Sequence, residues 1–144
     1  MTKYSIQAHI DSTNLLYEDK HCTLVYLGEQ VPDVFNVTEI SNIINEEFPH
    51  KVALETKLTY FGPNNDIPVQ RVVDDNNYLY NLNRDLMEYF AKLEVFPRTD
   101  YVNYVPYISL GIAGEFVDTD SLQEVVILTR PSLVMWDEPR YIGL

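Results

Sequence analysis

Cysteine is nearly absent: Cys22 stands alone in 144 residues, so the chain cannot close a disulfide on itself or build a thiolate cluster around a metal. Histidine is scarce as well. His9, His21 and His50 are scattered rather than set at ligand spacing, and no structural metal or other cofactor is expected. Basic side chains are outnumbered, 10 Lys and Arg against 22 Asp and Glu, for a formal charge of -12. Such a chain repels polyanions, which argues against long DNA or RNA as a partner. A small anionic ligand can still be held where a few cations converge. No apolar run is long enough to cross a bilayer, nothing resembles a signal peptide, and a reducing cytoplasmic compartment without a membrane partner is the expectation. Low-complexity stretches, heptads and flexible linkers are missing too, so a single domain over residues 1–144 is expected.

What the chain does contain is enough apolar and aromatic residue, 46% and 12%, to build a core at this length. Tyr4 to Ile10 reads as a first strand, followed by a polar loop through Asp11, Ser12, Thr13 and Asn14. Asn36 followed by Glu39 is a capping signature. Behind it Val37, Ile40, Ile43, Ile44 and Phe48 recur at helical spacing, up to a stop near Pro49. Alternation from Val52 to Tyr60 predicts one long strand, turning at Gly62-Pro63-Asn64-Asn65-Asp66 into a partner over Ile67 to Val73, with Pro68 near an edge or among its first residues. Leu79, Leu82, Leu86, Tyr89, Phe90 and Leu93 predict a second helix with a buried stripe. Strands follow at Tyr107, at Val125 to Thr129, at Leu133 to Trp136 and at Tyr141 to Leu144. Strand runs interrupted by two helices indicate an α+β domain, with helices on the outer faces of a mostly antiparallel sheet.

The chemistry concentrates in His21-Cys22-Thr23-Leu24-Val25-Tyr26-Leu27-Gly28. Side chains alternate along a strand, so His21 and Thr23 share one face while Cys22 and Leu24 share the other. One face offers chemistry and the other packs. The design returns as Pro106-Tyr107-Ile108-Ser109-Leu110-Gly111, with tyrosine where a second histidine would complete the echo. His9 also falls in a strand. With no hydroxyl residue two positions on, it reads as a hydrogen-bonded sheet histidine.

Together these residues resemble the 2H phosphoesterases, the LigT-like or cyclic phosphodiesterase family. Its hallmark is two copies of His-hydrophobic-Thr/Ser-hydrophobic on central strands. His21-Cys22-Thr23-Leu24 matches the first copy, and Tyr107-Ile108-Ser109-Leu110, preceded by Pro106, matches the second except at the histidine. Tyr60-Phe61-Gly62-Pro63 and the ending Leu133 to Arg140 resemble further family segments. The resemblance implies a bilobal, mostly antiparallel sheet around a central groove, and metal-free chemistry at a phosphodiester next to a ribose hydroxyl. One histidine serves as general base and the other as general acid, and the two hydroxyls hold phosphate oxygens. Small phage members degrade cyclic oligonucleotide immune signals, which would place such a protein in the host cytoplasm.

Carried onto this chain, the catalytic set is His21, Thr23, Tyr107 and Ser109, acting on a small cyclic or short 2'-5' or 3'-5' linked oligonucleotide. Tyrosine has an ordinary pKa of about 10, so it donates hydrogen bonds at neutral pH but makes a poor base and a less well matched acid. Three readings follow. Tyr107 is the acid, with its pKa lowered by a nearby Lys or Arg; or His50 or Glu138 supplies the missing function; or the groove holds a nucleotide without cutting it, as a sponge or sensor. Tyr4, Tyr26, Tyr60, Tyr104 and Trp136 are candidate stacking platforms for a base. Arg71, Arg98, Arg130 and above all Arg140 are candidates to neutralise phosphate.

Overall fold

The computed structural model describes residues 3–29, 36–95, 104–135 and 140–144. Two side chains decide where its helices begin. Asn36 accepts from the N–H groups of Thr38 (2.9 Å) and Glu39 (3.3 Å) and starts α1 (Val37–Glu47) where the sequence predicts. α2 (Tyr78–Lys92) starts otherwise: Asn77, at a left-handed φ of 58°, gives no side-chain cap, and Asp74 accepts from the N–H groups of Leu79 and Tyr80 at 3.0 Å each. A carboxylate there also complements the positive end of the helix. Leu79, Leu82, Leu86 and Phe90 of α2 and Ile40 and Ile44 of α1 are buried, as their spacing requires. The helices pack on each other, and α2 packs on the second strand.

Nine strands are described: β1 (Tyr4–Asp11), β2 (His21–Gly28), β3 (Lys51–Leu54), β4 (Thr59–Phe61), β5 (Ile67–Val73), β6 (Tyr107–Ser109), β7 (Val125–Leu128), β8 (Ser132–Met135) and β9 (Arg140–Gly143). Every pairing among them is antiparallel. With two helices this is the α+β class expected from the sequence. The order β4-β5-β6-β2-β1-β8-β9 forms one sheet and β5-β3-β7-β1 a second. β1 and β5 belong to both, each passing from one sheet to the other along its length, so six strands close a ring.

That division corrects the single long strand read over Val52 to Tyr60. The stretch is two strands, β3 and β4, which pair with opposite halves of β5 in different sheets. Residues 55–58 between them are not strand and bend at 56–57, where the pairing partner changes. A buried polar bridge spans the junction. Gln70 donates through Nε2 to the carbonyls of Glu55 and Gln123, both at 2.8 Å, and its Oε1 accepts from the Tyr17 hydroxyl at 2.7 Å. Tyr17 in turn accepts from the Gln123 N–H at 2.8 Å. Carbonyls left over where two sheets part are thereby satisfied. Pro68 is the second residue of β5, among its first residues as expected, and not at an edge: β4 lies on one side of it, and its carbonyl accepts from Leu110 N–H.

Candidate functional site

The site is a consequence of register. Cys22 pairs with Ile108 across β2 and β6, and both are fully buried on the side that faces the core. Antiparallel counting from that pair sets His21 across from Ser109 and Thr23 across from Tyr107, with all four side chains on the opposite face of the sheet. Each of the four is partly exposed. The two stretches read as echoes in the sequence are therefore neighbouring strands, and they present one two-by-two patch.

The flanking strands extend it. On β1, His9 pairs directly with His21 and Gln7 with Thr23. The two imidazole rings lie 6.1 Å apart between centroids, tilted by 57°. On β5, Arg71 pairs with Tyr107 and Val69 with Ser109. An arginine thus shares the face with the tyrosine. The Phe61 ring stands edge-on to Tyr107 at 4.8 Å. Among the described residues Ser109 Oγ makes one long contact, donating to the Gly111 carbonyl at 3.4 Å.

β2 is held firmly behind this face. The β1–β2 register slips between Ile6 and Gln7, leaving Leu24 as an extra residue opposite β1. Side chains from the core side bind the carbonyls around it: Tyr104 donates its hydroxyl to the Thr23 carbonyl at 2.9 Å, and Asn83 donates Nδ2 to the Leu24 carbonyl at 2.7 Å. Neither role is visible in local sequence, because each depends on a contact made across the fold.

Environment distinguishes the titratable groups. Burial, aided by the charges of His9 and Lys20, pushes the His21 imidazole down to about 4, so it is neutral at physiological pH. Such a ring can accept a proton or a hydrogen bond, and it is not a resting proton donor. On the packed side, burial drives the Cys22 thiol up to about 12, which removes it from nucleophilic chemistry. Burial also raises the Tyr104 phenol well above the usual tyrosine range.

The structure separates the proposed ligand contacts. Tyr104 lies on the core side, its ring edge-on to Tyr80 at 5.8 Å and its hydroxyl committed to β2, so it is a strut and not a stacking platform. Tyr4 packs against the hydrophobic core. Tyr60 is 49% exposed but alternates to the face opposite Phe61, and the aromatic ring beside Tyr107 is Phe61. Arg130 is bound to the Leu144 carbonyl and to Asn45 Oδ1, and the His50 ring packs edge-on to Phe48, outside the β1–β2–β6–β5 grid. Trp136, Arg98, Glu138 and the side chain of Arg140 lie outside the described residues. The sequence reading named Arg71 as one of four arginines without setting it beside Tyr107, and it did not set His9 opposite His21 or Phe61 against Tyr107. Their signal is the pairing of β1 with β2 and of β5 with β4 and β6. Among the described residues no three or more His, Cys, Asp or Glu side chains stand together as a metal-ligand set.

No protein-family model matches the sequence, and no curated protein matches it. Solved structures do share its architecture. One, described as the crystal structure of a phosphoesterase, superposes with a TM-score of 0.59 at 14% identity, covering 100% of this chain and 96% of that one. Another, a conserved protein of unknown function from Agrobacterium tumefaciens, gives 0.50 at 10% identity, covering 99% of this chain and 84% of that one. At such identities the likeness is one of fold.

Proposed function

We propose that the protein is a phosphodiesterase that needs no metal and acts on a small cyclic or short oligonucleotide, linked 2'-5' or 3'-5'. The observation that carries this reading is the register of β2 against β6, which brings an imidazole, two aliphatic hydroxyls and a phenol onto one partly exposed patch. In this reading His21, neutral at pH 7, accepts the proton of the attacking hydroxyl. Thr23 and Ser109 donate hydrogen bonds to non-bridging phosphate oxygens. Tyr107 donates a third, and Arg71 across the ladder supplies positive charge at the row where phosphate sits. The -12 charge favours a short ligand over a long strand, whose distant phosphates would meet an acidic surface. The shared fold with a structure described as a phosphoesterase supports the reaction class.

A second reading is supported by the tyrosine at position 107: the same patch holds the nucleotide and does not cut it. The deciding experiment runs turnover and binding on one panel of cyclic and 2'-5' linked nucleotides. Product release that disappears in His21→Gln supports the enzyme. Saturable binding without product, undiminished over hours at high protein concentration, establishes the binder and ends the enzyme reading.

A further inference from the structure

We propose that His9 is the second imidazole of this site: protonated, it donates to an oxygen of the same phosphoryl group that engages His21, and in turnover it passes its proton to the departing oxygen. The second half rests on the phosphodiesterase reading; the first half, joint engagement of one phosphate, stands without it.

Three observations lead here. His9 and His21 form a direct cross-strand pair, so both rings leave the same face of the sheet. Their centroids are 6.1 Å apart, and with a hydrogen-bond reach of about 2.6–3.2 Å at each ring one phosphoryl group fits within the span. The backbone of His9 is also pinned from the other side, its N–H donating to Thr129 Oγ1 at 3.2 Å and its carbonyl accepting from Thr129 N–H at 2.9 Å. The imidazole is therefore carried on a fixed base rather than on a loop.

Electrostatics divides the labour. Burial disfavours a positive charge on His21, and a positive charge on the ring across the pair reinforces this, so His21 is the acceptor of the two. The titratable groups that the pairing sets beside His9 are His21 on β2, which Lys20 precedes in the chain, and Asp11 two residues along its own face of β1; Thr129 on the far side is uncharged. In the reaction a water or ribose hydroxyl oxygen bonds to phosphorus while the bond from phosphorus to the leaving ribose oxygen breaks. The nucleophile's proton goes to His21, the leaving oxygen takes one from His9, and exchange with solvent restores the pair. Tyr107 is then relieved of acid catalysis and acts through its hydrogen bond.

Two measurements on the full chain test this. In the first, inorganic phosphate is titrated while the three imidazole resonances are followed by NMR, assigned through His9→Gln and His21→Gln. His9 and His21 should move along one saturation curve with His50 unmoved, and His9→Gln should weaken phosphate binding about tenfold. Movement of His21 alone, or of neither ring, overturns the proposal. The second compares His9→Gln on a substrate with a ribose leaving group and on one releasing nitrophenolate, which leaves without protonation. A loss of roughly 100-fold on the first and under about fivefold on the second supports the proton donor; equal losses on both overturn that role. Should the wild-type chain turn over neither substrate, the phosphodiesterase reading and the donor step fall together, and the phosphate titration still decides the joint site.

Discussion

Acidification should destabilise this fold through His21 before the site does any chemistry. An unfolded chain protonates this imidazole near its ordinary value of 6.5, whereas the folded chain resists until about 4. Between those values the unfolded state binds more protons, so stability rises with pH across the window and is lost as pH falls through it. The full slope is about 1.4 kcal/mol per pH unit. Between pH 7 and pH 5 the contribution comes to roughly 2 kcal/mol, an upper figure because the ring edge keeps some solvent contact. Urea unfolding of the wild-type chain and of His21→Gln at both pH values isolates this part, since the 22 carboxylates titrate in both proteins and cancel in the difference. The variant should gain roughly 2 kcal/mol on the wild type between pH 7 and pH 5. In parallel, the His21 ring resonance should stay in its neutral position down to pH 5. A resonance that titrates near 6.5, with the two unfolding free energies moving in parallel, would refute the burial argument and remove the basis for calling His21 a resting acceptor.

Four other outcomes are expected. Tyr107→Phe should lower turnover by roughly 10²-fold with ligand affinity within a few-fold, because one donor to the phosphoryl group is lost while the ring still meets Phe61; unchanged turnover means the hydroxyl takes no part. Turnover should survive excess EDTA, and loss on chelation followed by recovery with a divalent ion would overturn the assignment to side-chain chemistry. Gln70→Leu should cost about 2–4 kcal/mol in chemical denaturation, since two part-buried carbonyls lose their donor and the buried Tyr17 hydroxyl its acceptor; a cost below about 0.5 kcal/mol would show that the sheet junction does not depend on this bridge. Cys22 should resist iodoacetamide in the folded protein and react on unfolding, whereas rapid labelling under native conditions would contradict its burial.

The parts of this fold legible in sequence are those that depend on neighbours a few residues away. A capping asparagine, a stripe at steps of three and four, and the alternation that sends His21 and Thr23 one way and Cys22 the other are all local, and each recurs in the structure. Register is not local. Whether Tyr60 or Phe61 meets Tyr107 turns on a one-residue offset between β4 and β5, and the two rings look alike to any pattern of hydrophobicity. Tyr104 carries a strand-side aromatic's signature whether it stacks on a ligand or props up a carbonyl at an irregularity in β2. Only the position of Leu24 opposite β1 creates a need for the prop.

His9 shows why the distinction matters for function. A histidine judged by the residues two positions along its own strand looks solitary, because the comparison is made along the chain. A sheet site is assembled across the chain, where the relevant neighbour of His9 is His21, twelve positions on and directly opposite. The tyrosine at 107 need not then mark a missing imidazole. On the proposal above, a second ring from β1 and a guanidinium from β5 join His21 and Tyr107 on one sheet face, and together they would accept a proton, donate one and balance phosphate charge. A motif is a statement about one or two strands. The proposed chemistry would belong to the face that four strands make together, where a substitution in one strand is answered from the strand beside it.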